Sequence, residues 1–229
     1  MAREELRAIG GAFDELHRVF HAWCDLQSKY SAIINEPAYD NSEVANTSLL
    51  IAAANSLYGW TGISGLRVEG LSEGASPLGE SDTPQGSGLL DAYLATHNSG
   101  YLLELKQAWM VPTKANGSSF KYDGADPLGM ARKQLQQLDH HESFSRDEEF
   151  MSYYGAFLVP SYDQKKDSMK RKEAFAAMVE FCREHFEAYA VFAPNLKNDA
   201  LTRSNKRVYR PLVAIGLRMH DFRKKGETV

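Results

Sequence analysis

Two cysteines in 229 residues, Cys24 and Cys182, are too few and too far apart for a disulfide framework or a CxxC zinc ribbon. Long apolar runs are also missing: the longest, LLIAAA at 49–54, is far short of the roughly 20 residues a spanning helix needs. The amino-terminal MAREELRAIGG has no signal-peptide apolar region, so the expectation is a cytoplasmic protein with no membrane partner. No glycine-rich nucleotide loop, serine triad or nucleophilic-cysteine pattern is found, and no internal repeat, which removes the commonest nucleotide-binding and acyl-transfer classes and the solenoids.

What remains is an ordinary globular composition, 43% hydrophobic and 24% charged, enough for one sizeable core, and a single domain over 1–229 is expected. The net charge of −4 argues against a generic nucleic-acid binder, yet the charge is unevenly spread. Residues 1–163 hold 11 Lys and Arg against 22 Asp and Glu, whereas residues 164–229 hold 15 against 8. QKKDSMKRK at 164–172 and RSNKRVYR at 203–210 are either a phosphate-contacting surface or solvated faces.

Periodicity supplies the elements. Leu6, Ile9, Phe13, Leu16, Phe20, Trp23 and Tyr30 alternate at three and four, which predicts an amino-terminal helical extension over 1–35 whose apolar stripe packs on the chain's own sheet or pairs with a second copy. His17, His21 and Cys24 share one side of it at a metal-compatible spacing, without a fourth ligand in view. Asn41 or Ser42 caps a second helix with Glu43 in its first turn, running toward Gly59. A strand follows near 62–72, then a Gly/Ser/Pro-rich loop at 71–88. Strands 89–96 and 101–110 are joined across HNSG as a hairpin. Asp126 and Pro127 open a third helix, and FMSYYGAFLVPSY at 150–162 is a strand ended by Pro160. A charged helix at about 168–187 and two more strands complete the pattern. The class is mixed α/β, a central mixed sheet flanked by helices, with a basic helix-and-strand elaboration over 161–229.

Three charges stand where burial makes charge costly: Asp91 in the first hairpin strand, Glu104 and Lys106 in the second. Strand alternation points Glu104 and Lys106 to one face, and the short turn brings Asp91 to the same place. Two carboxylates and an amine at one spot suit a hard divalent cation, Mg²⁺ or Mn²⁺, whose charge offsets the carboxylates' repulsion. A cation held so polarises a phosphate, and a lysine beside it orients or deprotonates water, which points to phosphodiester hydrolysis. The plainer alternative is a cross-strand salt bridge.

Asp91, twelve intervening residues and then Glu104-Leu105-Lys106 resembles the PD-(D/E)XK phosphodiesterase superfamily, over residues 42–160. That resemblance implies a restriction endonuclease-like core, a helix, a three-stranded meander, a helix and a further strand. It implies Asp91 and Glu104 as metal ligands, the Leu105 carbonyl as a further ligand, and Lys106 as the catalytic lysine. Members often add an acid from the first core helix, here Glu43, with Glu36 a poorer candidate. Gln136 or Gln137 is a candidate contact from the second core helix. The implied activity is a Mg²⁺-dependent nuclease acting on DNA. A second expectation, from another class, is a non-catalytic protein of the same fold that binds nucleic acid or protein and oligomerises through its amino-terminal helix. Trp60 and Trp109 are expected in the core, and His97 at the turn is expected to be solvated.

Overall fold

The computed structural model describes residues 5–34, 42–69, 87–112, 120–135, 151–165, 171–194, 200–201 and 208–219. The elements are β1 (Leu6–Gly11), α1 (Asp14–Ile34), α2 (Glu43–Asn55), β2 (Thr61–Glu69), β3 (Ser87–Ala95), β4 (Ser99–Pro112), β5 (Phe120–Tyr122), α3 (Pro127–Leu135), β6 (Met151–Lys165), α4 (Arg171–His185), β7 (Ala188–Ala193), β8 (Ala200–Leu201) and β9 (Val208–Met219).

The protein is mixed α/β. One sheet runs β1-β7-β9-β6-β4-β3-β2, with β5 paired to β4 and β8 to β9. Among these pairs β4 and β6 alone are parallel, and the chain between them passes through α3, as a parallel connection requires. Alternation along the strands divides the core. Tyr101, Leu103 and Leu105 of β4 pack with Leu16, Phe20 and Trp23 of α1 and Leu50, Ala53 and Ala54 of α2. Ala108 and Met110 pack instead with Ala174, Met178 and Phe181 of α4. The sheet is therefore covered on both faces, and no helix among the described residues is long and apolar enough to cross a membrane.

Local chemistry explains most boundaries. Ser42 caps α2, its Oγ accepting from the Ala45 N–H at 3.2 Å. The β3–β4 turn is held by Thr96, whose Oγ1 accepts from the N–H groups of Asn98 and Ser99 at 3.3 and 3.0 Å. At α3, the Asp126 side chain accepts from the Leu128 N–H at 3.1 Å and Pro127 takes the first helical position.

Three sequence expectations change. The amino-terminal stripe is not one helix: Leu6–Gly11 is an edge strand paired antiparallel to β7, and the helix begins only at Asp14. Gly11 forces the break, with φ +95 and a Cβ position 2.2 Å from the Glu187 carbonyl oxygen, so no other residue fits there. Of the rest of the stripe, Leu16, Phe20 and Trp23 are fully buried in the chain's own core, and Phe13 packs against it half-buried. Pro160 does not end its strand. β6 runs to Lys165, Pro160 pairs with Ala108 of β4, and the β6–β9 ladder skips Val159 and Pro160 before resuming in the same register. Trp60 is buried and stacked on Tyr101, but Trp109 is 39% exposed and so is not a core residue. The 71–88 loop and the Gln136 and Gln137 positions lie outside the described residues.

Candidate functional site

β3 and β4 pair from Ala95↔Gly100 to Ala92↔Leu103, and there the ladder stops. The next pair in register is Asp91 with Glu104. Beyond this point β3 stays with β2 while β4 continues along β6, so a gap opens at the edge of β4. Two carboxylates fill it. Asp91 Oδ2 accepts from the Leu105 N–H at 2.8 Å, and Glu43 Oε1 accepts from the Gln107 N–H at 3.0 Å. These side chains replace the missing strand as partners for successive inward N–H groups of β4, ~7 Å apart along the strand.

Glu104 and Lys106 lie on the face that the same strand presents to α4 through Ala108 and Met110. The Lys106 ammonium donates to Glu104 Oε1 at 2.9 Å and sits 3.8 Å from Asp91 Oδ2. Lys106 is 14% exposed, Glu104 6% and Asp91 37%, so solvent reaches the cluster from the Asp91 side. Glu43, at the start of α2, reaches the strand's edge from the other face, held there by the Ser42 cap.

The electrostatics follow from this packing. Burial, and then the neighbouring Asp91 charge, push the Glu104 carboxyl up to about 7 against the opposing pull of Lys106. Burial opposes the charge on Lys106, but the bond to Glu104 and the charges of Glu104, Glu43 and Asp91 outweigh it and hold the ammonium above its ordinary value. Lys106 is therefore a proton donor and a fixed positive charge here, not the lysine of lowered pKa that a water-deprotonating base requires.

Glu43, Asp91, Glu104, Leu105 and Lys106 thus lie along one strand edge. Glu36 lies outside the described residues. A residue's own N–H and C=O point to the same edge of a regular strand. The Leu105 carbonyl accordingly faces the gap, with the Asp91 and Glu43 carboxylates on either side along β4. The ring of donors is open: among the described residues no three His, Cys, Asp or Glu side chains gather into a ready-made cation cage. His17, His21 and Cys24 form none either; Cys24 is buried and its thiol is pushed up to about 12 by that burial. His97 is exposed at the turn, ~13 Å or more from Asp91 along the strand, and takes no part. The side chains of the tyrosines and lysines at 153–165 are outside the described set.

Gln107 has its side chain turned away from Glu104 by strand alternation, and sequence reasoning gives it no catalytic role on that ground. Its contribution is the backbone N–H that orients Glu43, a role visible only once the edge of β4 is known to be unpaired. Comparison with protein-family models, with curated proteins and with solved structures returns no match for this chain, so the site is read from its own geometry.

Proposed function

We propose that the protein is a metal-dependent nuclease of PD-(D/E)XK type that hydrolyses phosphodiester bonds, with DNA as its substrate. The observation that carries this reading is the meeting of Asp91, Glu104 and Lys106 at the point where β3 and β4 part, with Glu43 on the next rung. A bare salt bridge needs neither the second nor the third carboxylate, and burying Glu104 beside Asp91 costs stability that a structural pair would avoid.

The donors fit Mg²⁺ or Mn²⁺: the Asp91, Glu43 and Glu104 carboxylates and the Leu105 carbonyl, all hard ligands. When bound, such an ion supplies Lewis-acid polarisation of a phosphate and lowers the pKa of its water. The protein's own groups do the rest. Backbone N–H groups fix Asp91 and Glu43, so neither carboxylate need reorganise. Lys106, held protonated, donates to a phosphate oxygen and stabilises the charge that develops. Partial exposure of Asp91 leaves the side from which a phosphate enters.

A second reading is supported by the placement of Lys106, whose ammonium already stands against both carboxylates where a cation would: a nuclease fold that binds nucleic acid without cutting it. One experiment separates them. Linear, circular and single-stranded DNA and RNA are incubated with the protein and Mg²⁺ or Mn²⁺, beside a Lys106→Ala control. Cleavage that disappears with EDTA and in the control is expected; no cleavage of any substrate, or undiminished cleavage in the control, removes the nuclease.

A further inference from the structure

Asp91 is freed on its other side as well. β2 and β3 pair from Thr61↔Ala95 to Ser64↔Ala92 and again from Leu66↔Leu90 to Glu69↔Ser87, in one unbroken register that omits a single pair, Gly65 with Asp91. Because Leu103↔Ala92 is the last pair facing β4, the Asp91 backbone faces β2, directly opposite Gly65. Gly65 has φ +64, a left-handed conformation that turns its peptide groups out of the ladder. A Cβ built at Gly65 meets nothing within 4 Å, so a side chain there is opposed by backbone conformation alone and not by crowding.

We infer that Gly65 is a positioning residue: its left-handed turn breaks the ladder opposite Asp91 and lets the aspartate swing across to the Leu105 N–H, where it faces Glu104 and Lys106. A residue that prefers extended backbone at 65 restores the missing pair, draws Asp91 back toward β2, and loosens its hold on Leu105. The inference rests on the proposed cation site only for its functional consequence; the geometry of Asp91 is tested without it.

The test has two readouts on one set of variants, Gly65→Ala, Gly65→Asn, Asp91→Ala and Gly59→Ala. Gly59 is a matched control, with φ +83 and equally open space, but away from Asp91. The first readout is hydrogen exchange at the Leu105 amide in metal-free protein, and the second is Mn²⁺ affinity by calorimetry. Gly65→Ala should expose the Leu105 amide as Asp91→Ala does and weaken Mn²⁺ binding about tenfold, the equilibrium effect of one left-handed alanine. Gly65→Asn, which tolerates the left-handed region, should behave as the parent, and Gly59→Ala should leave both readouts unchanged. The inference is overturned if Gly65→Ala keeps Leu105 protection and Mn²⁺ affinity, if Gly59→Ala changes them equally, or if Gly65→Asn loses them at parental stability. The last outcome decides the matter even where the alanine variant does not fold. Absence of Mn²⁺ binding in the parent protein, with Leu105 exchange still responding to position 65, sinks the cation site and leaves the positioning role standing.

Discussion

Glu104 is buried beside another carboxylate, and its protonation links stability to metal binding. In the folded protein it keeps its proton up to about 7, while the ordinary value is 4.5. Between those values the folded state binds more protons than the unfolded one, so this group's contribution to stability falls as pH rises and levels off above about 7. Glu104→Gln removes that dependence. The variant should gain on the parent by about 3 kcal/mol between pH 4.5 and pH 8, measured as the difference in urea midpoints along the pH series. A parent and variant whose stabilities run parallel over that range contradict a raised Glu104. The same proton must leave for a cation to bind, so Mg²⁺ affinity should rise with pH and reach a plateau above about 7. Lys106 allows the complementary test. Its ammonium competes with any cation for Glu104 and Asp91, so Lys106→Ala should bind Mn²⁺ at least as tightly as the parent while cleavage falls about 10³-fold. Loss of Mn²⁺ binding together with cleavage would mean that Lys106 holds the site together and does no chemistry.

At the scale of elements, the site depends on how α2 and the strands are seated. Ser42→Ala removes the cap that sets the first turn of α2, from which Glu43 reaches Gln107. It should cost about 1 kcal/mol, read from the thermal midpoint, and weaken cation binding as Glu43 loosens. A second dependence is Gly216 of β9, where a Cβ would lie 2.4 Å from the Phe186 ring. Phe186 is buried, and Gly216→Ala should destabilise by about 2 kcal/mol with metal affinity unchanged, because the contact lies on β9 and not on the site strands. The hairpin, the starts of α2 and α3 and the 104/106 alternation were legible because turn chemistry, caps and period-2 faces are local. Three features were not. Leu6 and Ile9 fit a helical spacing, but pairing with β7 and the tight approach of Gly11 to Glu187 decide their strand. Pro160 suggests a strand end, yet β6 accommodates it by dropping two rungs toward β9. The gap between β3 and β4 depends on β6 claiming the other edge of β4 from 99 to 109, a contact distant in sequence.

For the whole molecule, the proposed nuclease reading requires a protein of net charge −4 to hold a polyanion. On the proposed reading the acidic site needs cations to tolerate a phosphate, and the surplus of basic residues over 164–229 is the candidate source of backbone contacts. Not every basic residue there is available. Arg171 donates to the carbonyls of Ala193 and Pro194 at 2.7 and 2.9 Å, fixing the end of β7 against α4, and Arg218 pairs with Glu187 at 3.3 Å. Neutralising Arg171 should therefore lower the thermal midpoint and leave the salt dependence of DNA binding unaltered. Lys165, Lys166 and Lys170 stand close together in the same basic stretch of the sequence. If they contact phosphates, replacing all three by glutamine should flatten the plot of log Kobs against log salt by about 2 to 3 units while reducing affinity for every DNA sequence alike. The measurement is made in Ca²⁺, so that binding is read without cleavage, on duplexes of unrelated sequence. An unchanged slope in the triple variant would rule this segment out as a DNA track, leaving the proposed nuclease site to its own test.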